Sequence, residues 1–599
     1  AREGSKEIAF AVLVTTLSIV AVFVPVAFMS GIVGRFMYQY GITVAVGVIA
    51  SYFIAFMLGP MLASRFLTGK KDNFFLFYWF DRGFEKVEKG YRWLIGAALR
   101  QKILTLVIAT LAMIGSIGLF ALTKKEFLTN ADRASTTINI ELPVGTSIQS
   151  LSEYTKQIER VLEGIPEVEN YLTTLGGGAF GEQYKGDIFV DLVDKKERDT
   201  TQWDIEDIIR ERTADLPGGK IIVGGSGGFG SIYDIQVEIS GPDGDQIQQI
   251  AEAFADRIKT DPTFMEVDLS SEAGKPEVRI NIDRDRAADL GIDAASVGST
   301  LRLLISGEDT VSTFMEHGRQ NDIKVRLLDT YRDNPRDIES LFVFNEDDDQ
   351  IEVSNFASVN IGSGTSQISH SNKMRSIYVN ANMSDGFTVG DGKDVLEGLY
   401  DELIPTGVSA RVVGEAEIMS DSFQSMAEAL ILAIALIYMI LAAQFNHFVH
   451  PLTIMMSLPL SFIGAFGALF FTGMTVNIFS LIGVIMLMGL VTKNAILVVE
   501  FTNQLRQRGM ERDEALMTAG PVRLRPVVMT ALSTIGGMLP VALMIGGGAG
   551  VEMRAPMAVA VIGGLVASTF LTLIVVPVAY AISDTATVWV VRNILRIRD

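Results

Sequence analysis

Apolar runs long enough to cross a bilayer recur along the chain, and one polar stretch of about 300 residues separates them into two groups. Runs at 8–28, 41–62 and 103–122 precede the polar stretch; runs near 428–444, 452–472, 479–501, 527–546 and 556–582 follow it. A helix needs about 20 apolar residues to cross the hydrocarbon core, so the pattern predicts eight spans with both termini on one side. Between the second and third runs, residues 64–102 carry Arg65, Lys70, Lys71, Arg82, Lys86, Lys89, Arg92, Arg100 and Lys102. Within that segment, aromatic clusters alternate with basic residues over 73–94, as in an amphipathic helix lying in the membrane interface. Residues 503–525, with Arg506, Arg508, Arg512, Arg523 and Arg525, and the tail with Arg592, Arg596 and Arg598, fall on the same side as Arg2 and Lys6. By the positive-inside rule that side is cytoplasmic and the polar stretch lies outside.

The polar stretch reads as mixed α/β. Residues 136–144 alternate as a strand, 147–165 have helical spacing, 168–176 and 186–194 read as strands, and 201–216 as a helix. A second copy of that rhythm starts with a strand at 232–241, a helix at 245–260 and a strand at 275–283. Its closing elements, 374–384, 390–404 and 409–417, come only after an insertion over roughly 290–368. Two βαβ units, the second split by an inserted module, would form open sheets backed by helices. The glycine-rich segment 175–187 lacks Gly-Lys-Ser/Thr and does not run from strand to helix, so it reads as a mobile hairpin loop and not as a phosphate loop.

Composition agrees with this division. The chain has 599 residues, 49% of them hydrophobic and 20% charged, with a mean hydropathy of +0.32. That is too apolar for a soluble protein of this length and too charged for one made of spans alone. Most acidic residues lie between 124 and 425, so the net charge of −20 belongs to a solvated region and argues against nucleic acid as a partner. The absence of cysteine excludes a disulfide framework and thiolate metal sites.

A repeat adds an expectation. Residues 15–31 lie over 530–546 at a constant offset of 515, pairing Thr15 with Thr530, Leu17 with Leu532, Ser18 with Ser533, Pro25 with Pro540 and Gly31 with Gly546. Val44, Ala45 and Val46 fall on Val559, Ala560 and Val561 at the same offset. Spans one and two therefore read as the end of an earlier repeat, and spans three to eight as a complete later one. Parallel repeats about an axis along the membrane normal are a transporter architecture. The earlier repeat's opening span, external domain and next three spans are expected upstream of Ala1.

The candidate chemistry sits in residues 481–501. Their 21 residues make about 31 Å of helix, and Lys493 lies past the middle, beside Asn494. A lysine near the centre of a span costs roughly 2.5–3.5 kcal/mol, so it needs a partner, a wet cavity or a route to the interface. Its stem reaches about 6 Å, whereas the helix end lies some 12 Å away, which disfavours snorkelling. Apart from Glu428 and Glu500, each at a span end, no Asp or Glu lies inside the eight spans.

The strings at 489–501 (GLVTKNAILVVEF) and 523–532 (RLRPVVMTAL), with the order of spans, resemble the resistance–nodulation–division (RND) superfamily and its hydrophobe/amphiphile multidrug efflux branch. The resemblance runs along essentially the whole chain and implies a polytopic α-helical membrane protein with a large periplasmic α+β domain. Residues 1–66 would be the family's fifth and sixth spans, 67–102 a cytoplasmic loop with the interfacial helix, and 103–123 the seventh span. Residues 124–231 resemble a porter subdomain, 232–289 with 369–425 its split neighbour, and 290–368 half of a docking domain. Spans eight to twelve would occupy 426–584, and 585–599 a cytoplasmic tail. The resemblance also implies an inner-membrane homotrimer driven by proton influx, working with a periplasmic adaptor and an outer-membrane channel, without a cofactor or metal and with no enzymatic activity.

In the family the lysine matching Lys493 pairs with two aspartates on the fourth span, which this chain does not contain. Asn494 adjoins it, Thr530 matches a relay threonine, and Arg523 an arginine guarding the cytoplasmic end. From the residues alone, Thr530 reads equally well as a hydroxyl bonded to its own helix, and Arg523 with Arg525 as positive-inside anchors. For substrate, the resemblance makes 175–187 a switch loop with Gly177 and Gly178, and places Phe180 and Phe189 at aromatic pocket positions; Leu172 stands where an aromatic is often found. Phe189 reads equally as one face of a core strand. A heavy-metal exporter of the same superfamily would need methionine or acidic ligands along the external domain, where Met265, Met315, Met374 and Met383 are scattered. An intramembrane protease and a lipid or protein-translocation accessory are the remaining alternatives, and no motif supports either.

Overall fold

The structure, a computed structural model, describes residues 2–66, 75–176, 182–224, 232–271, 275–307, 310–364 and 367–593. Four helices open the chain: α1 (Arg2–Ala27), α2 (Gly31–Phe66), α3 (Phe75–Arg100) and α4 (Lys102–Leu122). After the polar stretch come Glu415–Phe445, a pair broken at Met456 (Val449–Met455 and Ser457–Thr472), Ile478–Gln507, Arg512–Ala542 and Ala555–Asn593. Among the described residues seven helices are long and apolar enough to cross a membrane. The first of the eight expected spans is helical as α1, but its apolar described part, Val12–Ala27, falls short of that length.

Residues 503–525, expected as a basic connection, are mostly helix. The turn after Gln507 is brief, and Arg512–Ala542 then runs through Pro521, Pro526 and Pro540. Each proline removes one backbone donor and crowds the carbonyl four residues back. Packing against neighbouring helices keeps such a helix intact where a lone one would break.

Small residues let the bundle close. A Cβ added at Gly464 would lie 2.2 Å from the carbonyl oxygen of Gly563, and one at Gly483 would lie 2.8 Å from that of Met557. Helices Ser457–Thr472 and Ile478–Gln507 thus meet Ala555–Asn593 with their backbones nearly touching, the close approach on which helix association in lipid depends.

Outside the bundle, β1 (Ser135–Glu141), α5 (Ile148–Glu163), β2 (Val168–Leu175), β3 (Lys185–Leu192), α6 (Gln202–Thr213) and β4 (Lys220–Val223) build one sheet in the order β2-β3-β1-β4. Its ladders are antiparallel, because each helix crossover skips one strand position. Alternation in β1 and β3 puts Ile138, Ile140, Ile188 and Val190 under α5 and α6, against Leu151, Ile158, Ile205 and Ile209. Ser147 and Thr201 cap those two helices, and Thr201 forms a reciprocal capping box with Asp204.

A second sheet contains β5 (Ile235–Gly241), which is followed by α7 (Gly244–Lys259) and then β6 (Phe264–Leu269). Strand Met374–Met383 is its centre, pairing with β5 and β6, and Ser409–Val413 closes the other side of β5. The strand expected at 275–283 does not join this sheet. As β7 (Lys275–Ile282) it pairs with Ala357–Gly364, and Ile280 and Ile282 pack on a separate core with Ile292, Val297, Val353 and Phe356. Phe264–Leu269 takes the place expected for it.

Candidate functional site

Helix Ile478–Gln507 is the centre of the bundle. Asn477 caps it, accepting from the Ser480 amide at 2.9 Å and donating to Thr129 Oγ1 at 2.6 Å, which ties the helix start to the segment entering the first sheet. Of its most apolar window 78% is buried, against 17% for Arg512–Ala542. This burial decides what its polar residues can do.

Lys493 is half-buried on this helix, and among the described residues it makes no hydrogen bond or ion pair. One turn earlier on the same face, a Cβ at Gly489 would meet Ile19 Cγ1 at 3.4 Å, so α1 presses on the lysine face. Asn494 is 5% exposed, and it too has no hydrogen bond among the described residues. Arg523 reaches the same helix nearer its end, its guanidinium 4.5 Å from the centroid of the Phe501 ring. Its Nε is buried without a hydrogen bond among the described residues, and its charge acts on the Glu500 carboxylate. Thr530 is exposed and donates to the Val527 carbonyl of its own helix at 2.9 Å. Lys493 and Asn494 are thus neighbours on Ile478–Gln507, Arg523 meets that helix further along at Glu500 and Phe501, and the hydroxyl of Thr530 bonds its own helix.

A cluster that sequence patterns did not single out closes the basic end of this helix. Tyr580 donates to Asn503 Oδ1 at 2.6 Å, and Arg506 donates to Tyr580 Oη and to Asp584 Oδ1, both at 2.9 Å. Arg512 reaches Asp584 Oδ2 at 3.5 Å and Thr585 Oγ1 at 2.8 Å. The His450 ring stacks on Tyr580 with centroids 5.1 Å apart. Four helices are joined there. Asp584 just beyond the last apolar run, with Arg506 and Arg512 across from it, was the available signal.

The two described substrate candidates stand together. Leu172 and Phe189 are directly opposed on β2 and β3 and are 66% and 44% exposed, so Phe189 lies on the open face and not in the core. Asp187, two positions along that face, is half-buried, and loss of water raises its carboxyl above the usual range. Gly177, Gly178 and Phe180 lie outside the described residues. A polar cavity of about 190 Å³ separates the two sheets, with Glu206, Arg210, Asp234 and Asn382 in its wall. Burial raises the carboxyls of Glu206 and Asp234, and hydrogen bonds from Gln202 and Thr136 oppose the rise at Glu206. Glu552, near the start of the last helix, accepts from the Asp132 amide at 2.8 Å and pairs with Lys195, linking the first sheet to the bundle.

The AcrB/AcrD/AcrF family model matches residues 1–584. The multidrug resistance protein MdtC of Proteus mirabilis strain HI4320 is 27% identical over 597 residues, covering 98% of this chain and 57% of the relative. MdtC of Escherichia coli O139:H28 strain E24377A is 27% identical over 596 residues with the same coverage. The chain thus spans little more than half the length of these relatives. Among solved structures, a heavy metal efflux pump superposes with a TM-score of 0.83 at 23% identity, covering 98% of this chain and 58% of that one. This likeness shows the fold alone.

Proposed function

The chain belongs to the AcrB/AcrD/AcrF family of resistance–nodulation–division efflux transporters, and we propose that the complete protein exports hydrophobic or amphiphilic compounds in exchange for protons. The observation that carries this reading is Lys493, half-buried on the most buried apolar helix and without a hydrogen bond or ion pair among the described residues. A cation held there is stable beside carboxylates, which it keeps ionised until protons arrive; protonation then releases the lysine and changes helix packing. On this reading a helix bearing those carboxylates would pack near both Lys493 and Thr530 in the complete protein. Arg523, beside Glu500 and Phe501, stands at the cytoplasmic end of the path on this reading.

The same reading sets residues 124–231, and 232–289 with 369–425, as periplasmic porter subdomains, with 290–368 facing other subunits of a homotrimer. The open face with Leu172 and Phe189 would contact substrate, and an adaptor and an outer-membrane channel would complete the route out. The two MdtC relatives are named for multidrug resistance, which supports this substrate class over metal ions.

The test is Lys493→Ala in the complete protein, with expression and oligomeric state matched. Drug resistance and dye transport driven by a pH gradient should both fall to the level of a strain without the pump. Near wild-type transport by Lys493→Ala would overturn the relay.

A further inference from the structure

The outer surface of the bundle carries a second site unrelated to the lysine helix. Helix α3, Arg512–Ala542 and Ala555–Asn593 enclose a groove of about 300 Å³. Its floor is Leu524, Ala531 and Leu573, all buried, and its walls include Leu532, Val566 and Phe570, which are 57%, 41% and 69% exposed. The polar groups that border it are already satisfied: Tyr91 Oη donates to the Leu573 carbonyl at 2.8 Å and Thr569 Oγ1 to the Leu565 carbonyl at 2.6 Å. The groove offers nothing to a polar ligand and a continuous apolar channel to a hydrocarbon chain.

Its direction and its mouth narrow the choice. From Leu524 to Ile535 the groove follows about 16 Å of helix, parallel to the spans. Val87, Tyr91 and Leu94 of α3 line it, and Tyr91 bonds Leu573, so one side of the groove is the interfacial helix. At that mouth Arg525 is exposed and lies 4.9 Å from the Phe84 ring centroid. Over 81–92 the sequence of α3 carries Arg82, Lys86, Lys89 and Arg92 against Asp81, Glu85 and Glu88, with Arg92 paired to Glu88, so together with Arg525 this end has a net positive charge. An apolar channel along the spans, with basic groups beside its interfacial mouth, suits one acyl chain with an anionic headgroup.

The geometry points to a bound anionic phospholipid, with one acyl chain between α3 and the last two helices and its phosphate at Arg525. The lipid would hold the interfacial helix to the bundle from the membrane side. This site does not depend on the direction or substrate of transport.

Native mass spectrometry of the complete protein tests it, after equilibration in detergent with an equal mixture of phosphatidylglycerol and phosphatidylcholine of the same chain length. One phosphatidylglycerol per subunit should survive release from the micelle. Ala531→Trp, which fills the floor, should abolish its retention. Leu532→Trp, at an exposed wall position that leaves the helix packing intact, should do the same, so a folding defect in the first variant does not decide the matter. Arg525→Gln should reduce the preference for phosphatidylglycerol over phosphatidylcholine about five-fold, the change expected for one basic residue near the surface. Equal retention of the two lipids by the wild type, retention of detergent in their place, or retention unchanged by Leu532→Trp would each overturn the assignment.

Discussion

The two copies of the repeated segment share a local sequence and have opposite surroundings. In α1, Thr15 and Ser18 are 6% and 1% exposed, and Pro25 is buried. Their counterparts on Arg512–Ala542, Thr530, Ser533 and Pro540, are all exposed. The following helices reverse the pattern: Val46 on α2 is 60% exposed, whereas Val561 is fully buried. Local geometry is nonetheless kept, for Gly31 and Gly546 both hold positive φ, at 82° and 117°, where a side chain would be strained. Leu17 and Leu532 are outward in both copies. Burial of the polar face is thus decided by which helix lies against it. Helix α1 is packed among α2, Glu415–Phe445 and the helix carrying Lys493.

If the copies are equivalent in the complete protein, the Thr530 face is covered as the Thr15 face is. The largest effect tests both contacts. Gly489→Leu would drive a side chain into Ile19 and should cost about 1–3 kcal/mol together with transport. A Cβ at Gly537 meets nothing within 4 Å among the described residues, yet this residue has the position of buried Val22, which Gly537→Leu would fill. It should also disable transport; full activity would break the equivalence.

Next in size are the two threonines. Both hydroxyls bond carbonyls of their own helix, Thr15 to Val12 and Thr530 to Val527, so Thr→Val at either site should leave thermal stability nearly unchanged. Transport should fall for Thr530→Val alone. Equal transport by both variants would remove Thr530 from the relay.

Accessibility gives a further comparison without a change in function. With Thr530→Cys and Leu532→Cys in the complete protein, a lipid-soluble maleimide should label position 532 and spare position 530. Labelling of both would show that the Thr530 face meets lipid.

The smallest effect concerns Ser18, whose hydroxyl is buried without a hydrogen bond among the described residues. Ser18→Ala removes that unpaired group and should be neutral or stabilising by up to about 1 kcal/mol, measured as a shift in unfolding temperature. Ser533→Ala should produce no shift while that face is open to solvent or lipid, and a shift of the same sign once it is covered.

Much of the architecture could be read from the chain. Apolar runs fell within the long helices, although Glu415–Phe445 and Arg512–Ala542 begin well before the runs expected there, and alternation located β1, β2 and β3 of the first sheet with the helices that cover one face, but not β4. The mean properties of a segment suffice for these, because a span or a strand face must satisfy its own backbone and its own period wherever it packs. The position of Lys493 within an apolar run marked it in the same way.

Other features needed the third dimension. Period alone placed a strand at 275–283 but not its partner, since pairing depends on which core takes Ile280 and Ile282. Continuation of Arg512–Ala542 through Pro521 and Pro526 likewise rests on its neighbours. The cluster of Tyr580, Asn503, Arg506 and Asp584 brings together residues more than 70 positions apart. Phe189 could belong to either face of its sheet until α5 and α6 were seen to cover the other one. Period, glycine placement and the lone cation are local and were fixed by sequence. Burial is a relation between surfaces, so only the folded arrangement decided that the polar face of one copy is buried and that of the other is exposed.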